Sequence, residues 1–158
     1  MKQRVHLETT IVSYLTARPS RDLVMAAHQQ VTHQWWEERR KEYELHISEL
    51  VLNEAARGEP EKAEMRLAML KGIRQLPVTD EIIELGRTII EDGLLPAKAG
   101  VDALHVAASS VHDMNVLLTW NCRHLANADL LGKLRRYLTS KGYETPIITT
   151  PNELMGGK

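Results

Sequence analysis

Cysteine is nearly absent: Cys122 is the only one in 158 residues, which rules out an internal disulfide and any CxxC metal knuckle. Long apolar runs are missing too. Stretches such as "VLLTW" and "DALHVAAS" fall well short of the roughly 18 residues a spanning helix needs, and "MKQRVHLETT" lacks the apolar core of a signal peptide. These absences point to a reducing cytoplasm and away from a membrane.

No charge bias marks the chain, with 20 Lys plus Arg against 21 Asp plus Glu. A strong basic excess, which often accompanies nucleic-acid binding, is therefore lacking. Positive charge is only local, at Arg39, Arg40 and Lys41 and at Lys133, Arg135 and Arg136, and both clusters read first as solvated helix faces. Glycine motifs are missing as well. No GxGxxG follows the first strand segment, and the "GKL" at 132 lacks the upstream glycine of a phosphate-binding loop, which disfavours a nucleotide-dependent enzyme of Rossmann type. His28 with His33, and His105 with His112, do not have the HExxH spacing of zinc hydrolases.

What is present is an ordinary globular composition, 43% hydrophobic and 26% charged, with no internal repeat and no linker that would split it. One domain is expected over residues 1–150, followed by a tail, 151–158, loose at its Gly-Gly end. Short segments at "RVHL", "LHIS", "QLPV", "VLLT" and "TPIIT" read as five strands. Between them lie stretches of helical spacing: "SRDLVMAAHQQVTHQWWEERRKEYE", "ELVLNEAARG", "PEKAEMRLAMLKG", "DEIIELGRTIIEDG" and "VDALHVAASSVHD". Ser20 and Asp80 are the expected N-caps, and Gly58, Gly72 and Gly93 stand just past helix ends. Strands alternating with long helices predict an α/β fold, a three-layer α/β/α sandwich on a mainly parallel five-stranded sheet.

In such sheets ligands bind beyond the carboxyl ends of the strands, and polar residues do gather there. Glu8, Thr9 and Thr10 follow the first strand, Ser48 and Glu49 the second, and Thr119 and Asn121 the fourth. Asp102 is the most informative residue, because Val101, Ala103, Leu104, Val106, Ala107 and Ala108 surround it with apolar groups. An unpaired carboxylate there is costly to bury, whereas at a helix start it can meet a cation and the helix dipole together. Taken singly, Asp102 reads as a helix-start residue and Glu54 as a solvated one.

Taken in order, four segments resemble the PIN-domain ribonucleases, most closely the VapC toxins of bacterial toxin–antitoxin pairs. "HLETTIVSYL" is similar to the opening strand with its acidic residue, and "SELVLNEAARG" places Glu54 at the second acidic position. "DALHVAAS" and "LLTWNCRHLANA" are similar to the third and fourth segments. The resemblance covers essentially the whole chain and departs from the family twice. Glu8 stands where Asp is usual, adding a methylene, and Asn121 stands where many members have a fourth acid.

The resemblance implies hydrolysis of RNA phosphodiester bonds with Mg²⁺ or Mn²⁺. Glu8, Glu54 and Asp102 then hold the metal, and Asn121 completes the catalytic set by positioning the ion or its water. Such an ion takes oxygen ligands from a few carboxylates, activates water and neutralises phosphate charge. Thr9 and Thr119 support that shell through their hydroxyls, with plain strand-end chemistry as the other reading, and Arg123 is a candidate phosphate contact. RNA, a cognate antitoxin protein and a second copy in a homodimer are the implied partners.

His105 shares a helical face with Asp102, close enough in sequence to approach a metal or phosphate; a satisfied, partly buried histidine is the favoured reading. Trp35 and Trp36 read as core or interface residues, Trp120 as a cleft wall, and Cys122 as a small packed residue rather than a nucleophile. The principal alternative is a PIN-like module, weakened at Glu8 and Asn121, that binds RNA or protein without cleaving.

Overall fold

The computed structural model describes residues 1–156. Five strands, β1 (Gln3–Leu7), β2 (Tyr43–Ser48), β3 (Arg74–Leu76), β4 (Val116–Leu118) and β5 (Ile147–Thr149), form one sheet in the order β3-β2-β1-β4-β5. Every pairing is parallel, with Val5 opposite both Leu45 and Val116. All five strands coincide with segments predicted from the sequence.

The helices are α1 (Thr9–Thr16), α2 (Leu23–Arg39), α3 (Glu49–Ala55), α4 (Pro60–Leu70), α5 (Asp80–Glu91), α6 (Gly100–Val111) and α7 (Ala128–Ser140). They cover both faces of the sheet, as the burial of successive strand residues requires. Val5, Leu7, Ile47, Val116 and Leu118 join Ile11 and Leu15 of α1, Trp35 of α2, Val51 of α3 and Leu70 of α4 in one core. Leu117 and Ile148 face the opposite way, onto Ile82 and Ile89 of α5, Val106 of α6 and Leu138 of α7. The three-layer α/β/α sandwich is thus present.

Helix boundaries differ from expectation at several points. The spacing that extends helix through Glu44 is broken, because α2 stops at Arg39 and a 3₁₀ turn, Arg40–Glu42, leads into β2. The cap of α2 is Asp22, which accepts from Val24 N at 3.4 Å, rather than Ser20, whose hydroxyl instead accepts from Asp22 N. Thr79 caps α5 through Ile82 N at 3.3 Å, which places Asp80 inside the first turn. Helix α1 is unanticipated: "TTIVSYLT" is rich in β-branched residues, and its burial against β1 overrides that preference. Beyond β5, Pro151 is buried, and Leu154 and Met155 pack on the core containing Trp35. The segment read as a tail from 151 keeps this packing as far as Met155; Gly157 and Lys158 lie outside the described residues. No described helix is long and apolar enough to cross a membrane.

Candidate metal centre

The chain order changes direction at β1, which is flanked by β2 on one side and β4 on the other. The carboxyl ends of β1 and β4 therefore meet at the switch point where open parallel sheets place their ligands. Glu8 is the first residue after β1 and Thr119 the first after β4. Glu8 is 5% exposed, and its backbone N–H bonds to Leu118 O, so the strand ladder itself fixes where the side chain starts.

Two glutamates converge here, each tied by two donors to one oxygen. Glu8 Oε1 accepts from Thr10 Oγ1 at 2.5 Å and Thr119 Oγ1 at 2.6 Å. Glu54, in the last turn of α3, accepts at Oε1 from Thr9 Oγ1 at 2.7 Å and from His105 Nε2 at 2.8 Å. Glu8, Glu54 and His105 each offer a ligand atom within 4.8 Å of the others. The adjacent residues Thr9 and Thr10 thus serve different glutamates, and the hydroxyls leave Oε2 of each without a protein donor among the described residues.

The electrostatics follow from burial and proximity. Burial works against charge on Glu54, but the hydrogen bond and charge of His105, the Thr9 hydroxyl and Arg57 outweigh it, so its carboxyl sits below the ordinary glutamate value. Burial equally opposes charge on His105, and the hydrogen bond to Glu54 with the negative charges of Glu8, Glu54 and Asp102 raises its imidazole above the usual value. His6, on the same side of β1, is held well below that value by burial and then by the charge of His105. The Ser109 hydroxyl gives its hydrogen to His105 O at 3.0 Å and so accepts from His6 Nδ1 at 2.8 Å.

Asp102 lies in the first turn of α6, one turn before His105. Its Oδ1 accepts from Asn121 Nδ2 at 3.0 Å, and His124 Nδ1 lies 3.2 Å from Oδ2. Asn121 Oδ1 is occupied by the backbone N–H groups of Arg123 and His124, at 3.2 and 3.0 Å. Its own N–H donates to Thr119 Oγ1 at 2.9 Å, so Thr119 links the loop after β4 to Glu8. Trp120 forms a wall: its ring stacks on His28 at 4.1 Å between centroids, its indole N–H donates to Thr32, and its backbone N–H donates to Thr10.

Of the residues singled out from sequence, Glu8 with Thr119 and Glu54 with Thr9 form two hydrogen-bonded pairs, and the two carboxylates lie side by side. Asp102 and Asn121 are paired beside them and lie outside the three-residue group above. Arg123 is exposed, and its guanidinium has no hydrogen bond or salt bridge among the described residues. Sequence reasoning missed His124 as the partner of Asp102, since no periodicity joins a loop to a helix start. The spacing of His105 from Asp102 on one helical face allows an approach to the site, with a satisfied, partly buried histidine as the favoured reading; the side chain is fully buried and its Nε2 meets Glu54.

No family model matches the chain, and no curated protein matches it in sequence. Solved structures do match in shape. VapC20 of Mycobacterium tuberculosis, described as a sarcin-ricin loop cleaving toxin, superposes with a TM-score of 0.60 at 16% identity over 76% of this chain and 92% of that one. VapBC2 of Rickettsia felis, bound to a DNA fragment from its promoter, gives a TM-score of 0.57 at 16% identity over 94% of this chain and 98% of that one. The parallel sheet, the two helical layers and these superpositions identify the architecture as the PIN-domain fold of VapC-type proteins.

Proposed function

We propose that this protein is a divalent-cation-dependent endoribonuclease, the toxin of a toxin–antitoxin pair. The carrying observation is the pair of glutamates at the sheet switch point, each fixed through one oxygen by two side-chain donors. A pair arranged only to bond one another's neighbours gains little from gathering such negative charge near a buried strand end; a cation is what that charge fits. Glu8 and Glu54 would hold it together with Asp102, and the oxygen-rich donor set suits Mg²⁺ or Mn²⁺.

The cation supplies an activated water and charge neutralisation at a phosphodiester. Around it, Thr9, Thr10 and Thr119 orient the carboxylates. Asn121 acts through its amide N–H on Asp102, since its carbonyl oxygen is already engaged by the loop backbone. Trp120, stacked on His28, lines one side, and exposed Arg123 contacts the incoming phosphate. RNA is the substrate, the cytoplasm the site of action, and the partners are an antitoxin and a second copy of the chain.

Wild-type protein and Asp102→Asn are to be incubated with mixed-sequence single-stranded RNA in Mg²⁺, in Mn²⁺ and in EDTA. Cleavage that needs the metal and disappears in the folded variant supports the reading. Absence of cleavage in every arm transfers the proposal to a binding module, for which the replacement of an acid by Asn121 is the specific motive. Expression without the antitoxin should slow growth, and harmless accumulation of folded, cleaving protein would argue against the toxin role alone.

A further inference from the structure

His105 is one of the largest fully buried side chains, 1% exposed, yet one of its nitrogens reaches the metal centre while the other meets nothing. Nε2 lies 2.8 Å from Glu54 Oε1, and Nδ1 is buried without a hydrogen-bond partner among the described residues. A side chain so placed has two possible relations to a bound cation. It can give Nε2 to the ion directly, or it can keep a hydrogen on Nε2 and hold Glu54.

We propose that His105 is a positioning residue for Glu54 and not a ligand: its Nε2–H, together with the Thr9 hydroxyl, ties down Oε1 so that Oε2 is the atom presented to the cation. This rests on the metal-dependent reading above and deepens it. Direct ligation requires Nε2 to lose its hydrogen, which places the imidazole hydrogen on Nδ1. Metal-bound histidines almost always donate that second N–H to a carboxylate, carbonyl or water, and here no acceptor stands beside it. With the hydrogen on Nε2, neutral His105 leaves only a bare lone pair at Nδ1, a lesser loss than an orphaned donor.

The treatment of Glu8 supports the same assignment. There Thr10 and Thr119 both donate to Oε1, and neither hydroxyl is needed as a metal ligand. At Glu54 the imidazole occupies the place that the second hydroxyl fills at Glu8. Glutamate has one more side-chain torsion than aspartate, so two donors on one oxygen remove freedom that would otherwise be lost on binding the ion.

The test uses the purified protein, its His105→Gln and His105→Leu variants, and Mn²⁺ as the probe. Free Mn²⁺ is followed by electron paramagnetic resonance, folding by circular dichroism, and bound Mn²⁺ by electron spin echo envelope modulation. Gln retains an N–H donor; Leu does not. The expected result is wild-type Mn²⁺ binding without directly coordinated histidine nitrogen, a loss of affinity of about 10- to 100-fold in His105→Leu, and recovery of most of it in His105→Gln.

A directly coordinated ¹⁴N signal in wild type that disappears in His105→Gln overturns the assignment. So does an unchanged affinity in folded His105→Leu, or a folded His105→Gln as weak as Leu. Should Leu not fold, the wild-type spectrum and the Gln variant still decide. Wild-type protein that binds no Mn²⁺ sinks the metal-dependent reading itself, an outcome distinct from bound Mn²⁺ that ignores His105.

Discussion

Thr119 and Glu8 sit at the ends of neighbouring parallel strands, and the threonine hydroxyl donates to Glu8 Oε1 at 2.6 Å while accepting the N–H of Asn121 at 2.9 Å. This hydroxyl joins the carboxylate after β1 to the loop after β4. Thr119→Val keeps the shape and removes both bonds, leaving a buried carboxylate with one donor fewer and a loop N–H without its acceptor. A loss of about 1–3 kcal/mol is expected in urea denaturation without metal. RNA cleavage should fall about 10- to 100-fold, the range for removing a group that orients a metal ligand.

Asn121→Asp restores the acid usual at this place in the family the sequence resembles, but it acts on a specific neighbour. The Asn121 amide N–H that reaches Asp102 at 3.0 Å is replaced by a carboxylate oxygen, setting two negative charges against each other. The variant should be less stable than wild type without a cation, on the order of 1–3 kcal/mol. It should also show the larger rise in Tm when Mg²⁺ or Mn²⁺ is added. Equal metal-induced shifts in the two proteins would contradict this reading of the Asn121–Asp102 pair.

Gly86 of α5 faces Leu104 of α6. A Cβ built there would lie 2.8 Å from Leu104 Cδ2, so Gly86→Ala forces that side chain to shift, which should offset the gain of about 1 kcal/mol from alanine's better helix propensity and leave stability little changed. The obstacle is a flexible side-chain end. Adding Leu104→Ala should therefore cost less in the Gly86→Ala background than alone, a coupling that a double-mutant cycle measures.

Trp120 donates its indole N–H to Thr32 Oγ1 at 2.7 Å while stacking on His28. Trp120→Phe preserves an aromatic wall and deletes the donor, so stability should fall by about 0.5–1.5 kcal/mol for the hydrogen bond. Thr32→Val in wild type should cost a similar amount, and the two substitutions together less than their sum. Chemical denaturation of the four proteins checks this.

Secondary structure was widely legible because it is written in local spacing. The five strands, α3 to α6 and the turn glycines Gly58, Gly72 and Gly93 were visible as alternation, helical periodicity or chain punctuation; Gly72 and Gly93 take φ of 85° and 78° just past helices α4 and α5, whereas Gly142 past α7 was not singled out. Helix α1 was not, because "TTIVSYLT" carries strand-forming residues whose helical state is decided by burying Ile11, Val12 and Leu15 on the sheet. The caps Asp22 and Thr79 were each displaced from the expected residue by a step of one or two positions, a choice made by backbone geometry among several suitable side chains.

The sequence by itself determined the alternation of strands and helices, the parallel sheet that follows from it, and the acidic residues placed at strand ends and at the start of α6. These depend on the order and period of side chains along one chain. Tertiary structure alone decided which of them act together: that Thr9 serves Glu54 and Thr10 serves Glu8, that Asn121 and His124 flank Asp102, and that His105 turns one nitrogen to Glu54. Each of these contacts joins separate elements and depends on angstrom-scale positions set by packing, and hydrogen bonds form only when those positions are met.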